Sequence, residues 1–171
     1  MEILKEAKNL YTFGFKFDIN LFNPIRNSFP KPEGGLWAIE EENVNSNNVF
    51  LRLFADGKTG FKFDLLDAKI LVIEFYEDMY IDDLFFDHKD YIREESISYT
   101  LDFERISKDF DAIIISNYAA EVLSDPLDFE DEIDLDLEEE GMVIEIPCLD
   151  FGSVIVFNPE KIRNIRELED N

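Results

Sequence analysis

Residues 31–38 read Lys31-Pro32-Glu33-Gly34-Gly35-Leu36-Trp37-Ala38. Adjacent glycines let a backbone approach a ligand closely, or take conformations that a Cβ forbids. Trp37 is the only tryptophan of the chain. A flat aromatic beside exposed amides is a platform for a nucleotide or nicotinamide ring. The same residues also suit a Gly-Gly turn followed by a core tryptophan, and spacing leaves both readings open. A second constellation lies at Asp128–Glu140, where nine of thirteen residues are acidic. There Asp134, Asp136 and Glu138 alternate with Ile133, Leu135 and Leu137. On a strand rising about 3.3 Å per residue, those carboxylates share one face about 7 Å apart. Such a face is a solvated edge kept from pairing by like charges, a surface for a basic partner or a phosphate mimic, or a metal site. D-L-D-L-E lacks the central glycine and ligand spacing of an EF-hand loop, and no metal is expected.

Other reactive types are scarce. His88 lies in Phe86-Asp87-His88-Lys89-Asp90. It reads as a surface residue at a helix end, where the dipole favours its cation, or as a proton shuttle between acids. Cys148 has no base or cation beside it and reads as an inert buried thiol. With one cysteine and one histidine, the chain can hold neither an intrachain disulfide nor a zinc site of several Cys and His ligands.

The chain has 171 residues, which predicts one domain over 1–171. Apolar residues make up 46% of it, enough for a sizeable core. Forty acidic side chains against sixteen basic ones leave a formal charge of −24. Binding to nucleic acid is not expected, because it needs clustered Lys and Arg to displace counterions. An anionic membrane surface is disfavoured for the same reason. The first residues carry Glu2, Lys5, Glu6 and Lys8 and no apolar h-region, so a signal peptide is not expected and the cytoplasm is the expected compartment.

These residues need elements to position them. Tyr11–Phe17 alternates aromatic residues with Thr12, Gly14 and Lys16 and predicts a half-buried strand. A long loop runs from Asp18 to Glu33, then Leu36–Ile39 forms an apolar stop, and Glu40–Asn48 reads as an exposed loop. Gly60–Leu66, Lys69–Phe75, Ala112–Ile115 and Ser153–Phe157 read as strands, and Asp128–Ile146 as a hairpin broken at Gly141. Helices are expected at Asp78–Phe86, Asp102–Phe110 and Tyr118–Leu123. A last helix should start at Asn158-Pro159-Glu160, with cap, first-turn proline and first-turn acid in order, and present Ile162, Ile165 and Leu168. The sum is an α+β domain of about seven strands and three or four short helices.

Several of these segments carry a resemblance. Tyr11–Asp18 (Y-T-F-G-F-K-F-D), Leu21–Asn27 (L-F-N-P-I-R-N) and Lys31–Trp37 (K-P-E-G-G-L-W) resemble the opening of bacterial and phage proteins of the ADP-ribosyltransferase-like fold. Ile106–Ile115 is similar to that group's central segment, and Val154–Ile162 (V-I-V-F-N-P-E-K-I) to its closing strand. The resemblance implies a split mixed or antiparallel sheet and NAD as the cofactor. It places Tyr11, Thr12, Lys31, Gly34, Gly35, Leu36 and Trp37 at the cofactor, with Asp150 and Ser153 as catalytic residues. An acid beside the sugar carbon would stabilise its oxocarbenium-like transition state. The chain departs from the group where Thr12 and Phe13 replace a first-strand basic residue and Ala38 replaces Ser.

Two functions follow. One is an ADP-ribosyltransferase-like domain, degenerate in its grip on NAD or a related nucleotide. The other is a non-enzymatic acidic protein, such as a phage or bacterial inhibitor, that covers a basic site on a protein partner through Asp128, Asp134, Asp136 and Glu138.

Overall fold

The structure, a computed structural model, describes residues 2–28, 31–45, 59–74, 91–95, 98–124 and 152–168. Ten strands run through them: β1 (Glu2–Leu4), β2 (Ala7–Phe13), β3 (Leu36–Glu40), β4 (Gly60–Leu65), β5 (Ile70–Ile73), β6 (Ile92–Glu95), β7 (Ser98–Leu101), β8 (Ala112–Ile115), β9 (Ser153–Val156) and β10 (Ile162–Leu168). The α-helices are α1 (Glu41–Asn45), α2 (Phe103–Asp109) and α3 (Asn117–Ser124). The class is α+β, with more strand than the sequence led us to expect.

Eight strands form one mixed sheet in the order β1-β5-β8-β9-β3-β2-β4-β10, and β6 and β7 form a separate antiparallel pair. Only β5 and β8 run parallel; the other pairs of the large sheet are antiparallel. β1 lies at one end of that order and β2 near the other, yet Lys5 and Glu6 alone separate them. β4 and β5 follow the same course, β2 pairing with β4 and β1 with β5. The long ribbon made by these two pairs therefore bends and brings the two halves of the sheet face to face. One apolar cluster fills the space between them, with Leu10, Leu36, Phe61, Phe63, Ile70, Ile114, Val154 and Ile162 drawn from seven strands. Burial of such side chains is worth about 1.5–3 kcal/mol each. The opposite face of β5, β8 and β9 is buried as well, at Leu71, Ile73, Ile113, Ile115 and Ile155.

Most expected elements occur. The run Ile70–Ile73 is buried at every position and sits between β1 and β8, as a continuous apolar strand requires. α2 begins at Asp102, whose side chain accepts from the Arg105 amide, and it buries Phe103 and Ile106. β9 is buried along its whole length, and β3 pairs with β2 through Tyr11 and Ile39, so the Leu36-Trp37 segment lies beside the Tyr11 strand.

Four expectations are corrected. First, the strand at Tyr11 begins earlier, at Ala7, and ends at Phe13. Its inward side chains are Leu10 and Thr12; Tyr11 and Phe13 lie half-buried on the other face. Gly14, at φ +100, turns the chain out, so Phe15 and Phe17 belong to the loop beyond. Second, Leu36–Glu40 is a central strand rather than a stop, because β2 and β9 pair with it on either side. Third, Glu41–Asn45 is helical and buries Asn43 where an exposed loop was expected. Fourth, the expected C-terminal helix is a strand. Asn158 does cap a turn, its side chain accepting from the Glu160 amide, but that turn is a 3-10 turn confined to Pro159–Lys161. The free edge of β4 then captures Ile162–Leu168. An extra residue in β10 between Arg163 and Arg166 breaks the strand's alternation and leaves Ile165 41% exposed. The expected Asp78–Phe86 helix and the Asp128–Ile146 hairpin lie outside the described residues.

Candidate functional site

The Gly34-Gly35 corner is held by backbone. Arg26 and Glu33 exchange backbone hydrogen bonds of 2.8 and 3.0 Å, and the Gly35 amide donates to the Asn23 carbonyl at 2.8 Å. Both glycines take the left-handed region, at φ +80 and +62. A Cβ on Gly34 would lie 2.3 Å from the Pro24 carbonyl oxygen, and one on Gly35 would lie 3.1 Å from the Val156 oxygen. The absence of side chains here serves a close approach of chain to chain. Trp37 completes the corner: its indole N–H donates to the Gly34 carbonyl at 3.1 Å, and the Lys31 ammonium lies 5.2 Å from its ring centroid.

The residues expected at a cofactor therefore have intramolecular roles. Thr12 is buried, and its hydroxyl donates to the Trp37 carbonyl at 2.9 Å. Leu36 is a core side chain. The Tyr11 hydroxyl donates to Glu41 at 3.0 Å, and its ring stacks on Phe13. Ser153 is buried at the start of β9, across from Ile115. β3 runs between β2 and β9, so Tyr11, Trp37 and Ser153 stand on three consecutive strands. Asp150, Asp128, Asp134, Asp136 and Glu138 lie outside the described residues, as do His88 and Cys148.

A polar network that sequence spacing did not reveal spans the outer face of β2, β4 and β10. Its centre is Asp64, only 8% exposed. One carboxylate oxygen accepts the Asn9 amide at 3.0 Å; the other accepts the Asn164 side-chain amide at 2.7 Å. Asn9 and Asn164 both take positive φ, +58 and +52, and each lies in a stretch where its strand gains one residue against β4. Asparagine tolerates the left-handed region better than most residues. One buried carboxylate thus clasps an irregularity in each flanking strand. Burial alone would push its pKa up. The hydrogen bonds from Asn164 and Asn9, with the charges of Arg166 and Lys8, outweigh that and hold it below the usual carboxylate range.

Beside it, Glu41 at the start of α1 gathers three donors: Lys62 at 3.1 Å, the Tyr11 hydroxyl at 3.0 Å and Asn9 at 2.8 Å. The Lys62 and Tyr11 bonds lower the Glu41 pKa, while Tyr11 and Glu41 raise that of Lys62. The two shifts move the groups apart, which keeps the proton on the lysine and off the glutamate. General acid–base work needs a group poised near the working pH. This constellation is instead a fixed ion pair, suited to holding α1 on the sheet.

A third cluster joins helix ends to β9. The Asn117 side chain donates to Asn43 and accepts the Gly152 amide at 2.8 Å. A Cβ at Gly152 would come 2.7 Å from the Asn117 amide nitrogen. The single letters of Asn43, Asn117 and Asp64 gave no signal, because each acts through a partner distant in the chain.

Among the described residues, no group of three or more His, Cys, Asp or Glu is placed to hold a metal ion. No helix among them is long and apolar enough to cross a membrane. Comparison of the chain with protein-family models, curated proteins and solved structures gives no match.

Proposed function

We propose that this chain is a non-enzymatic acidic protein that covers a basic site on a protein partner. One observation carries the reading: the formal charge of −24 leaves a large acidic surplus, and many cations are already engaged within the molecule. Lys8 pairs with Glu6, Lys16 with Glu167, Lys62 with Glu41 and Arg105 with Asp109. Lys161 donates to the Asp67 carbonyl, and Arg163 to those of Glu160 and Ile162. Acids such as Glu2, Asp18 and Asp67 lie exposed on the surface. A surface of one sign steers a complementary partner and speeds its association. The densest run of acids, with Asp128, Asp134, Asp136 and Glu138, is the contact we assign to that partner. Pull-down with the wild type and with a triple variant, Asp134→Asn, Asp136→Asn and Glu138→Gln, at low and moderate salt tests it. The variant should lose partners that the wild type retains, and salt should weaken the wild type. Equal retention by both proteins at both salts would overturn the reading.

The transferase-like reading keeps one supporting observation: Tyr11, Trp37 and Ser153 stand on adjacent strands. Against it, Lys16 reaches Glu167 and Lys31 covers Trp37, so two of the cations nearest the glycine corner in sequence are occupied. A pyrophosphate usually needs a cation or aimed amides. Nicotinamide release from NAD should therefore be weak or absent. Robust release that collapses in Asp150→Ala would reinstate the enzyme.

A further inference from the structure

The loop after β2 displays apolar side chains in an ordered way. Phe15 is 48% exposed, Ile19 49% and Leu21 72%; they are half of the six large hydrophobic residues exposed among those described. The loop is braced from both ends. Gly14 donates to the Thr59 carbonyl at 2.7 Å. Phe15 and Phe17 set their rings edge-on to the buried Phe61, and Phe17 and Phe22 pack against the core. Ile19–Leu21 forms a 3-10 turn capped by Asp18, whose carboxylate accepts the Asn20 amide at 2.9 Å. Phe22 closes that turn by donating to the Ile19 carbonyl. Lys16 ties the loop to β10 through Glu167 at 3.2 Å. The turn therefore holds Ile19 and Leu21 outward while its flanking phenylalanines point in.

Three large apolar side chains left exposed on one short, braced loop mark a candidate interaction site. A braced loop loses little conformational entropy when it docks. The charge of the molecule selects the occupant. A second copy would bring a further −24 against the first and is repelled, as is any acidic partner. On the same loop, Lys16 pairs with Glu167 and the Asp18 carboxylate is exposed, so the loop itself offers an acidic surface little to bind.

Resting on the acidic-binder reading, we infer that Phe15, Ile19 and Leu21 form the apolar anchor of the interface, and that the partner is a basic protein whose positive surface surrounds an apolar pocket or stripe. Charge then governs approach, and the loop governs how long the complex lasts.

Two defined probes test this with the full chain: a helical peptide of alternating Leu and Lys faces, and a peptide of Lys with polar residues of equal length and charge. The Leu/Lys peptide should bind the wild type at least about tenfold more tightly, a difference of roughly 1.4 kcal/mol. In Ile19→Ser/Leu21→Ser it should fall to the level of the Lys-only peptide. Amide-exchange protection by the Leu/Lys peptide should appear at residues 19–22. Both variant side chains are largely exposed, so the melting temperature should hold; if it drops, Leu21→Ser alone is measured. Equal binding of both peptides, or an unchanged double variant, overturns the inference. If the Lys-only peptide still binds the wild type and is lost in the Asp134/Asp136/Glu138 variant, the acidic-binder reading stands while the anchor falls. If neither peptide binds, both fall.

Discussion

Asp64 ties two strands to β4 through one side chain. Its carboxylate satisfies an amide in β2 and a side chain in β10 while nearly excluded from water. Asp64→Ala leaves the Asn9 amide without its acceptor and should cost about 1–3 kcal/mol, read as a lower urea midpoint. Acid should act on the same group. Asp64 and Glu41 have folded pKa values below their ordinary ones. Their stabilisation is therefore present above the ordinary carboxylate range and is lost as pH falls through the lowered folded values. Urea midpoints of the wild type should fall across that range, and those of Asp64→Asn/Glu41→Gln should fall less. Gly34 makes a second single-residue test. At φ +80, with the Pro24 carbonyl oxygen only 2.3 Å from where a Cβ would sit, Gly34→Ala should destabilise by more than about 1 kcal/mol. A neutral outcome would mean that the corner relaxes without strain.

β10 carries the consequences at the level of elements. It closes the outer edge of β4, and its seven residues contain two arginines and a left-handed asparagine. An irregular, charged edge resists pairing with other chains. Truncation after Lys161 should uncover β4 and promote aggregation, detectable by light scattering. If the truncated chain stays monomeric with an unchanged melting temperature, β10 is dispensable and the clasp at Asp64 is ornamental to the fold. The strand also shows how a local signal is real yet short in range. Asn158, Pro159 and Glu160 do begin a turn in the expected way. Caps decide how a helical turn starts; how far it continues depends on competing partners, and the open edge of β4 is such a partner.

For the whole molecule, charge is the dominant fact. At −24 the folded chain repels itself, since folding brings the surplus acids closer together. Added sodium chloride, up to moderate concentration, should raise the melting temperature, because exposed charges are screened beyond about 8–10 Å at physiological ionic strength. A melting temperature that falls with salt would mean that attractive pairs, such as Lys62–Glu41, outweigh the repulsion. The same screening should slow association with a basic partner. Salt would then stabilise the free protein while weakening the proposed complex, and the two opposed responses are measurable on one preparation.

The sequence by itself determined the class, the charge and most of the buried strands. Ile70–Ile73 and Ala112–Ile115 are continuous apolar runs, as is Ser153–Val156 after its first residue, and a run buried on both faces has few other places to go. α2 was equally legible, because its cap and its apolar face are local to it. Tertiary structure alone decided the rest. Which face of β2 points inward depends on β3 and β4, whose pairing sets Leu10 and Thr12 against the core and leaves the aromatic row half outside. Leu36–Glu40 is a strand because two others flank it, and Ile162–Leu168 is one because β4 offered an edge. The Asp64 clasp joins residues 55 and 100 positions apart, a separation that no local spacing records. Periodicity reports the preferences of a segment for a face; register, edges and polar partners are properties of pairs of segments, and those come into being only when the chain has folded.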